Sequence, residues 1–244
     1  WPLGMELYLP KEWVTDKKRR KKAGIPKEAK FKEKWRLALE IIDNAREHEI
    51  PHCAIIVDCG YGSNKEFRSE LRARKEPYVV GISPDAITAV PADTKFMGPE
   101  DFPPIRGSGR KRTRYLIPPD IKGKNALEFA KDIPDGDWTD ICWSEGSKGY
   151  LHGKFAMLEV RLLVNGTAWT DEVSWLLLEQ ENEKIKAYLC WGVDSPTLEQ
   201  LVKIAKLRYF IEQSYREMKD ELGLDHFEGR SWNGWHHHTA LTQI

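Results

Sequence analysis

The sequence predicts an α/β protein, a sheet flanked by helices with an antiparallel β block inserted into it. Two short runs, HCAIIVD (52–58) and YVVGIS (78–83), are almost wholly apolar, which suits strands covered on both faces. Helix-period segments precede and separate them, giving a strand–helix–strand–helix–strand order when MELYLP (5–10) is counted as the first strand. A later group of strand-like stretches is joined by short polar turns, the pattern of antiparallel pairing.

The elements follow in order. MELYLP predicts a strand stopped by Pro10, and the basic, proline-punctuated stretch after it predicts a loop. Residues 31–48 predict a helix with Trp35, Leu39 and Ile42 on its inner face. Strand 52–58, the turn CGYGSN, a helix over 64–75 and strand 78–83 come next. From 84 to 120 the chain is rich in Pro, Gly and charge and predicts a loop, and 124–132 a short helix. Strands are expected at 140–145, 154–164, 174–180 and 186–192, the last after the polar turn ENEK. The long helix that follows takes Ser195 as its N-cap and Pro196 at its first position. The expected domains are 1–85 as a partial core, 86–194 as a β-rich insertion and 195–244 as the helix that returns to the core.

Composition bounds the function classes. In 244 residues, 41% hydrophobic content with 10 Trp can build a core and excludes a disordered chain. Lys+Arg and Asp+Glu balance at 38 each, so net charge names no polyanionic partner. Positive charge is bunched instead, as KKRRKK (17–22) and RGSGRKRTR (106–114), which includes Arg110, Lys111 and Arg112. Such runs are solvated loops or phosphate contacts. The cysteines at 53, 59, 142 and 190 form no CxxC pair, which argues against a zinc site or disulfide framework and for a reducing compartment. No stretch has the length of a membrane span and no signal peptide opens the chain. The chain begins without Met, inside an expected strand, and ends in mid-pattern, so a fragment of a longer protein is expected.

Two acids stand out. Asp58 ends an apolar strand, and the carboxyl ends of strands in open α/β sheets are where ligands bind. An acid there either caps the following turn or meets a cation. Glu212 lies on the helix that runs through 208–222, on one line with Arg208, Tyr215 and Lys219 at about 100° per residue. That line borders an apolar stripe of Ile204, Leu207, Ile211, Met218 and Leu222, opposite a solvent face of Lys206, Phe210, Gln213 and Glu217. Arg208 and Glu212 form an i,i+4 ion pair or, alternatively, Glu212 shares a hard divalent cation with Asp58 while Arg208 and Lys219 face phosphates. EGSKG (145–149), with Lys148 and then Lys154, is a hairpin turn or a phosphate cradle. In WHHH (235–238) consecutive histidines on a helix diverge and cannot chelate one ion, which leaves packing or phosphate contact.

These residues carry a resemblance. Arg208, Glu212 and Lys219 match the R-(3)-E-(6)-K part of the YREK signature of bacterial insertion-sequence DDE transposases. IIVDCGYGSN, LYLPKEW…RRKKAGIP and SEGSKGYLHGKFAMLEV are similar to other segments of one branch of that group. The leading Tyr of the signature is replaced by Ala205. The resemblance implies an RNase H-like core with an inserted β subdomain. Asp58 and Glu212 would be the second and third catalytic, metal-binding acids, and Mg2+, replaceable by Mn2+, the cofactor. Arg208, Lys219, Tyr215, Lys148, Lys154, Arg230 and the 110–112 cluster would be DNA contacts. It also implies double-stranded DNA as partner, a possible homodimer and a bacterial cytoplasmic, nucleoid-associated location. The first acid and the first two core strands belong upstream of MELYLP. Residues 5–10 would then lack a neighbour, strand 52–58 would have an unpaired edge, and strand transfer would be lost. A non-catalytic, DNA-binding or dimerising remnant is the alternative. Trp143, Trp169, Trp175 and Trp191 are candidates for stacking on a base.

Overall fold

The computed structural model describes residues 3–101, 113–146, 149–181 and 184–243. In chain order its helices are α1 (Lys11–Thr15), α2 (Lys17–Ala23), α3 (Lys34–Glu47), α4 (Cys59–Gly62), α5 (Lys65–Ala73), α6 (Ala126–Asp132), α7 (Leu198–Lys206), α8 (Arg208–Asp220) and α9 (Trp232–Leu241). Its strands are β1 (Ile55–Val57), β2 (Tyr78–Ile82), β3 (Ala89–Pro91), β4 (Thr139–Gly146), β5 (Gly149–Leu162), β6 (Val173–Glu181) and β7 (Lys184–Trp191). The chain divides into two compact units, residues 53–206 and residues 1–52 with 207–244.

Unit 53–206 is built on one seven-stranded mixed sheet in the order β1-β2-β7-β6-β5-β3, with β4 paired to β5. β1 and β2 are parallel, joined across α5, and every other pairing is antiparallel. The antiparallel block therefore extends the core sheet, because β7 aligns Cys190 with Val79 of β2. α7 covers this junction. Leu198, Leu201, Val202 and Ala205 recur at helical spacing and pack on Val79, Phe155, Leu177 and Cys190. Leu201 and Val202 are fully buried, each worth roughly 1.5–3 kcal/mol relative to exposure.

Several expectations are corrected. β1 is half-buried rather than covered on both faces, because it is an edge strand paired only with β2 among the described residues. The expected loop 84–120 contains β3, which pairs with β5. Ser195 adopts a left-handed φ of 42° and does not cap α7. Thr197 does: its Oγ1 accepts from Gln200 N at 3.2 Å, and Gln200 Oε1 accepts from Thr197 N at 2.9 Å. Lys206, expected on the solvent face, is largely buried. Its ammonium pairs with Glu179 and lies 4.4 Å from the Trp143 ring centre.

In the second unit, residues 5–10 are not a strand, since among the described residues no ladder partner lies beside them. The basic stretch expected as a loop forms α1 and α2. Asp16 caps α2 by accepting from Arg19 N at 3.0 Å, and Gly24, at φ 67°, ends it. Arg20 turns inward and donates to the carbonyls of Val14, Pro26 and Ala29, so one residue of the basic run is structural. Leu9, Ala23 and Ile25 form a small core with Trp13 and Trp232 against them. The helix expected to run on from residue 195 is interrupted at Leu207, and α8 ends at Asp220, with Gly223 turning the chain at φ 67° just beyond it.

Candidate active site

Asp58 follows the last residue of β1 and is the N-cap of α4. Its Oδ1 accepts from Gly60 N at 2.9 Å and from Tyr61 N at 3.3 Å, so two backbone amides fix the carboxylate. Among the described residues no hydrogen bond reaches Oδ2. The group is partly exposed, at the carboxyl end of a parallel strand pair. Capping and ligand binding, the two readings of this residue, are compatible, because the cap uses one oxygen and leaves the other.

The turn is held from beneath. Gly62 is buried, and a Cβ there would collide with the Gly81 carbonyl and with Val80 of β2. Ser63 Oγ accepts from Ser83 N at 3.0 Å. Asn64 caps α5 by accepting from Phe67 N at 2.7 Å. One turn into α5, Arg68 is buried, donating from Nη1 to Gly62 O and from Nε to Glu172 Oε1, each at 2.8 Å. Arg72, a turn further on, donates to Val173 O at 2.8 Å and Ser174 Oγ at 2.7 Å, and from Nε to Tyr78 OH at 3.1 Å. Burial raises the Tyr78 phenol above its ordinary value, against the pull of Arg72.

Arg208, Glu212, Tyr215 and Lys219 lie on α8, in the other unit. Arg208 Nη2 bonds Glu212 Oε1 at 2.7 Å, which realises the i,i+4 pair, and the Glu212 side chain is 63% exposed. The apolar stripe expected to be buried beside this line is not: Leu207, Ile211 and Leu222 are exposed, and of the stripe on α8 only Met218 is buried. α8 instead presents Tyr209, Phe210 and Tyr215 among side chains of both charges. Arg230 lines an apolar cavity of about 260 Å3 with Leu7, Trp13, Phe227 and Trp232. Two of the three histidines of α9 pack, and His237 is exposed. His236 lies against Trp232 and Trp235, and His238 stacks on Phe227 and bonds Leu224 O.

Lys154 is exposed on β5, opposite Asp140 of β4. Lys148, Arg110, Lys111 and Arg112 lie outside the described residues. Of the four tryptophans, Trp143, Trp175 and Trp191 are partly buried against the sheet, whereas Trp169 is exposed. With Lys65, Arg114 and Tyr115 it lines a cavity of about 370 Å3, and Arg161 lies 5.3 Å from its ring. This aromatic and basic cavity was not singled out by sequence, because its residues come from four separate segments. The buried Arg68–Glu172 pair, 104 positions apart, left no sequence signal either.

A mixed α/β sheet with an acid fixed at a parallel strand's carboxyl end belongs to the class of proteins that bring ligands to that edge. Residues 1–150 match the family described as DDE superfamily endonuclease, and the chain belongs to it. No curated protein sequence matches the chain. The mixed sheet with its helices agrees with the RNase H-like fold of these endonucleases, which act on DNA and depend on a divalent metal, generally Mg2+. Asp58 lies inside the matched residues, whereas Glu212 and the α8 cations lie beyond them. Asp58 fits such an ion as a hard oxygen ligand with one oxygen uncommitted, and Mg2+ takes few carboxylates, filling its sphere with water and phosphate oxygens. Among the described residues no three acids, histidines or cysteines stand together as a complete cage. No helix among them is long and apolar enough to cross a membrane.

Proposed function

We propose that this chain is a catalytic-domain portion of a cut-and-paste DNA transposase of the insertion-sequence type. Asp58 and Glu212 are two of its metal-binding acids. The observation that carries the reading is the Asp58 carboxylate, held by two amides with its second oxygen uncommitted, within the stretch that matches the endonuclease family. A bound Mg2+ supplies charge neutralisation at the scissile phosphate and activation of the attacking water or 3′-hydroxyl. The chain's own residues orient the reactants. Asp58 keeps Oδ2 uncommitted on a fixed turn. Glu212 contributes once Arg208 releases it to a phosphate, an exchange that their exposed position on α8 makes inexpensive. Lys219 and Tyr215 continue that line along the DNA backbone, and Lys154 and Arg230 add cations. Trp169 with Tyr115, Lys65 and Arg114 offers a stacking face beside phosphate-binding charge.

The second reading, a DNA-binding remnant without catalysis, is favoured by the Arg208–Glu212 pair, in which the acid already has a partner. Nicking of supercoiled plasmid in Mg2+ or Mn2+ separates the two. Activity lost in both Asp58→Ala and Glu212→Ala supports the enzyme. Equal inertness of all three proteins with retained DNA binding supports the remnant.

A further inference from the structure

We propose that Arg68, clamped by Glu172, is a positioning residue for Asp58, an inference that rests on reading Asp58 as a metal ligand. Arg68 touches neither Asp58 nor the space in front of it. Its Nη1 holds the carbonyl of Gly62, the last residue of the turn that Asp58 caps, at 2.8 Å. Within that turn Gly62 N donates to Asp58 O at 2.8 Å, so both ends of α4 are tied, one to the acid and one to the guanidinium. Arg68 is itself fixed because Nε donates to Glu172 Oε1 in a site where both side chains are at least nine-tenths buried. Glu172 is anchored in turn. Its N–H donates to Thr170 Oγ1 at 3.1 Å, and its carbonyl accepts from Leu162 N at 2.9 Å, at the end of β5. A continuous path of hydrogen bonds thus runs from the antiparallel half of the sheet to the acid-bearing turn.

Charge balance alone does not choose this geometry. Pairing with Glu172 neutralises the guanidinium, its other buried N–H groups still need acceptors, and the one that Nη1 takes is the carbonyl of the acid-bearing turn. A planar cation with donors in fixed directions transmits position, which a lysine ammonium does not. Gly62 cannot slide toward β2, because the Gly81 carbonyl blocks it, and the Arg68 bond stops it from lifting away. The Asp58 carboxylate, whose Oδ1 is spent on the amides of Gly60 and Tyr61, therefore keeps Oδ2 aimed in one direction. Groups that orient a ligand from behind are worth about 10- to 100-fold in metal affinity.

The test uses the whole chain with Arg68→Lys and Glu172→Gln, the second covering the case in which the first fails to fold. Amide relaxation dispersion reads the native state on the microsecond to millisecond scale and is insensitive to rare global unfolding. The expected result is new dispersion at Gly60 and Tyr61 in both variants, with Leu177 and Leu189 in the sheet unchanged. Alongside it, the Mn2+ concentration that half-broadens the Gly60 amide should rise about tenfold. Variants whose melting temperature falls while Gly60 and Tyr61 keep wild-type shifts and flat dispersion would overturn the proposal and leave the pair a stabilising one. Asp58→Asn serves as the control on the metal. If it leaves Mn2+ broadening at Gly60 unchanged, the ligand reading of Asp58 fails, and with it the metal role claimed for Arg68, whatever the dispersion shows.

Discussion

Asp58 and Glu212 are both acids matched to one resemblance, yet the protein holds them by opposite means. Asp58 is fixed by backbone amides, on a turn pressed against β2 and tied to a buried ion pair. Glu212 is held by one partly exposed side chain on the exposed face of α8, among uncovered Leu207, Tyr209, Phe210 and Ile211. The contrast teaches that an acid ordered by backbone is in place before any ligand arrives. An acid paired to an exposed arginine is ordered only through that side chain, and under the proposed function it becomes available when a phosphate displaces the pair.

The comparison can be broken by mutation. Arg68→Met leaves Glu172 buried without its close partner and is expected to cost about 3–5 kcal/mol in urea unfolding, whereas Arg208→Met should cost less than about 1 kcal/mol. Equal losses would erase the distinction. Gly62→Ala is expected to cost about 1–3 kcal/mol by overpacking against Gly81, while Gly136→Ala, where a Cβ meets nothing within 4 Å, should be near neutral. Asp58→Ala removes a cap and should lower stability by about 1 kcal/mol, against a few tenths for Glu212→Ala, both read from thermal melts.

The smallest effect sharpens the same point through pH. Glu128 is partly exposed, yet its carboxyl lies below the ordinary 4.5, first because it accepts from the Asn125 backbone N–H in the α6 capping box and then because of Lys122. A carboxyl lowered by folding stabilises above its unfolded pKa, and that contribution is lost as pH falls through the lower, folded value. Wild type should therefore lose more stability between pH 7 and pH 3 than Glu128→Gln, a small difference that a pair of melting curves resolves.

Much of this was legible in the sequence where local pattern decides. The apolar runs around Ile56 and Val79, the helix of 64–75 and the later strands follow from periodicity and turn residues. Asp58 could be singled out by its place after an apolar run, and the Arg208–Glu212 pair by spacing alone. What failed depended on neighbours. A segment such as 5–10 has strand composition, but a strand needs a ladder, and among the described residues none is offered. KKRRKK reads as a solvated loop until Asp16 and Gly24 bound it as a helix. Ser195 and Thr197 are both plausible caps, and only Gln200, three residues beyond Thr197, completes a reciprocal pair. The partnership of Arg68 with Glu172 exists only after β5 and β6 have paired, so no window of sequence contains it.

The bare contact between Gly62 and the strand beneath it carries a consequence for how this family can vary. With no side chain as a spacer, the height of the acid above the sheet is the thickness of one backbone on another. Side chains elsewhere in the core can be exchanged and the strands can shift in composition, but there is no graded way to raise or lower the carboxylate. Position 62 offers glycine or a displaced turn, so drift should be sparse there and plentiful on the exposed flank of α8.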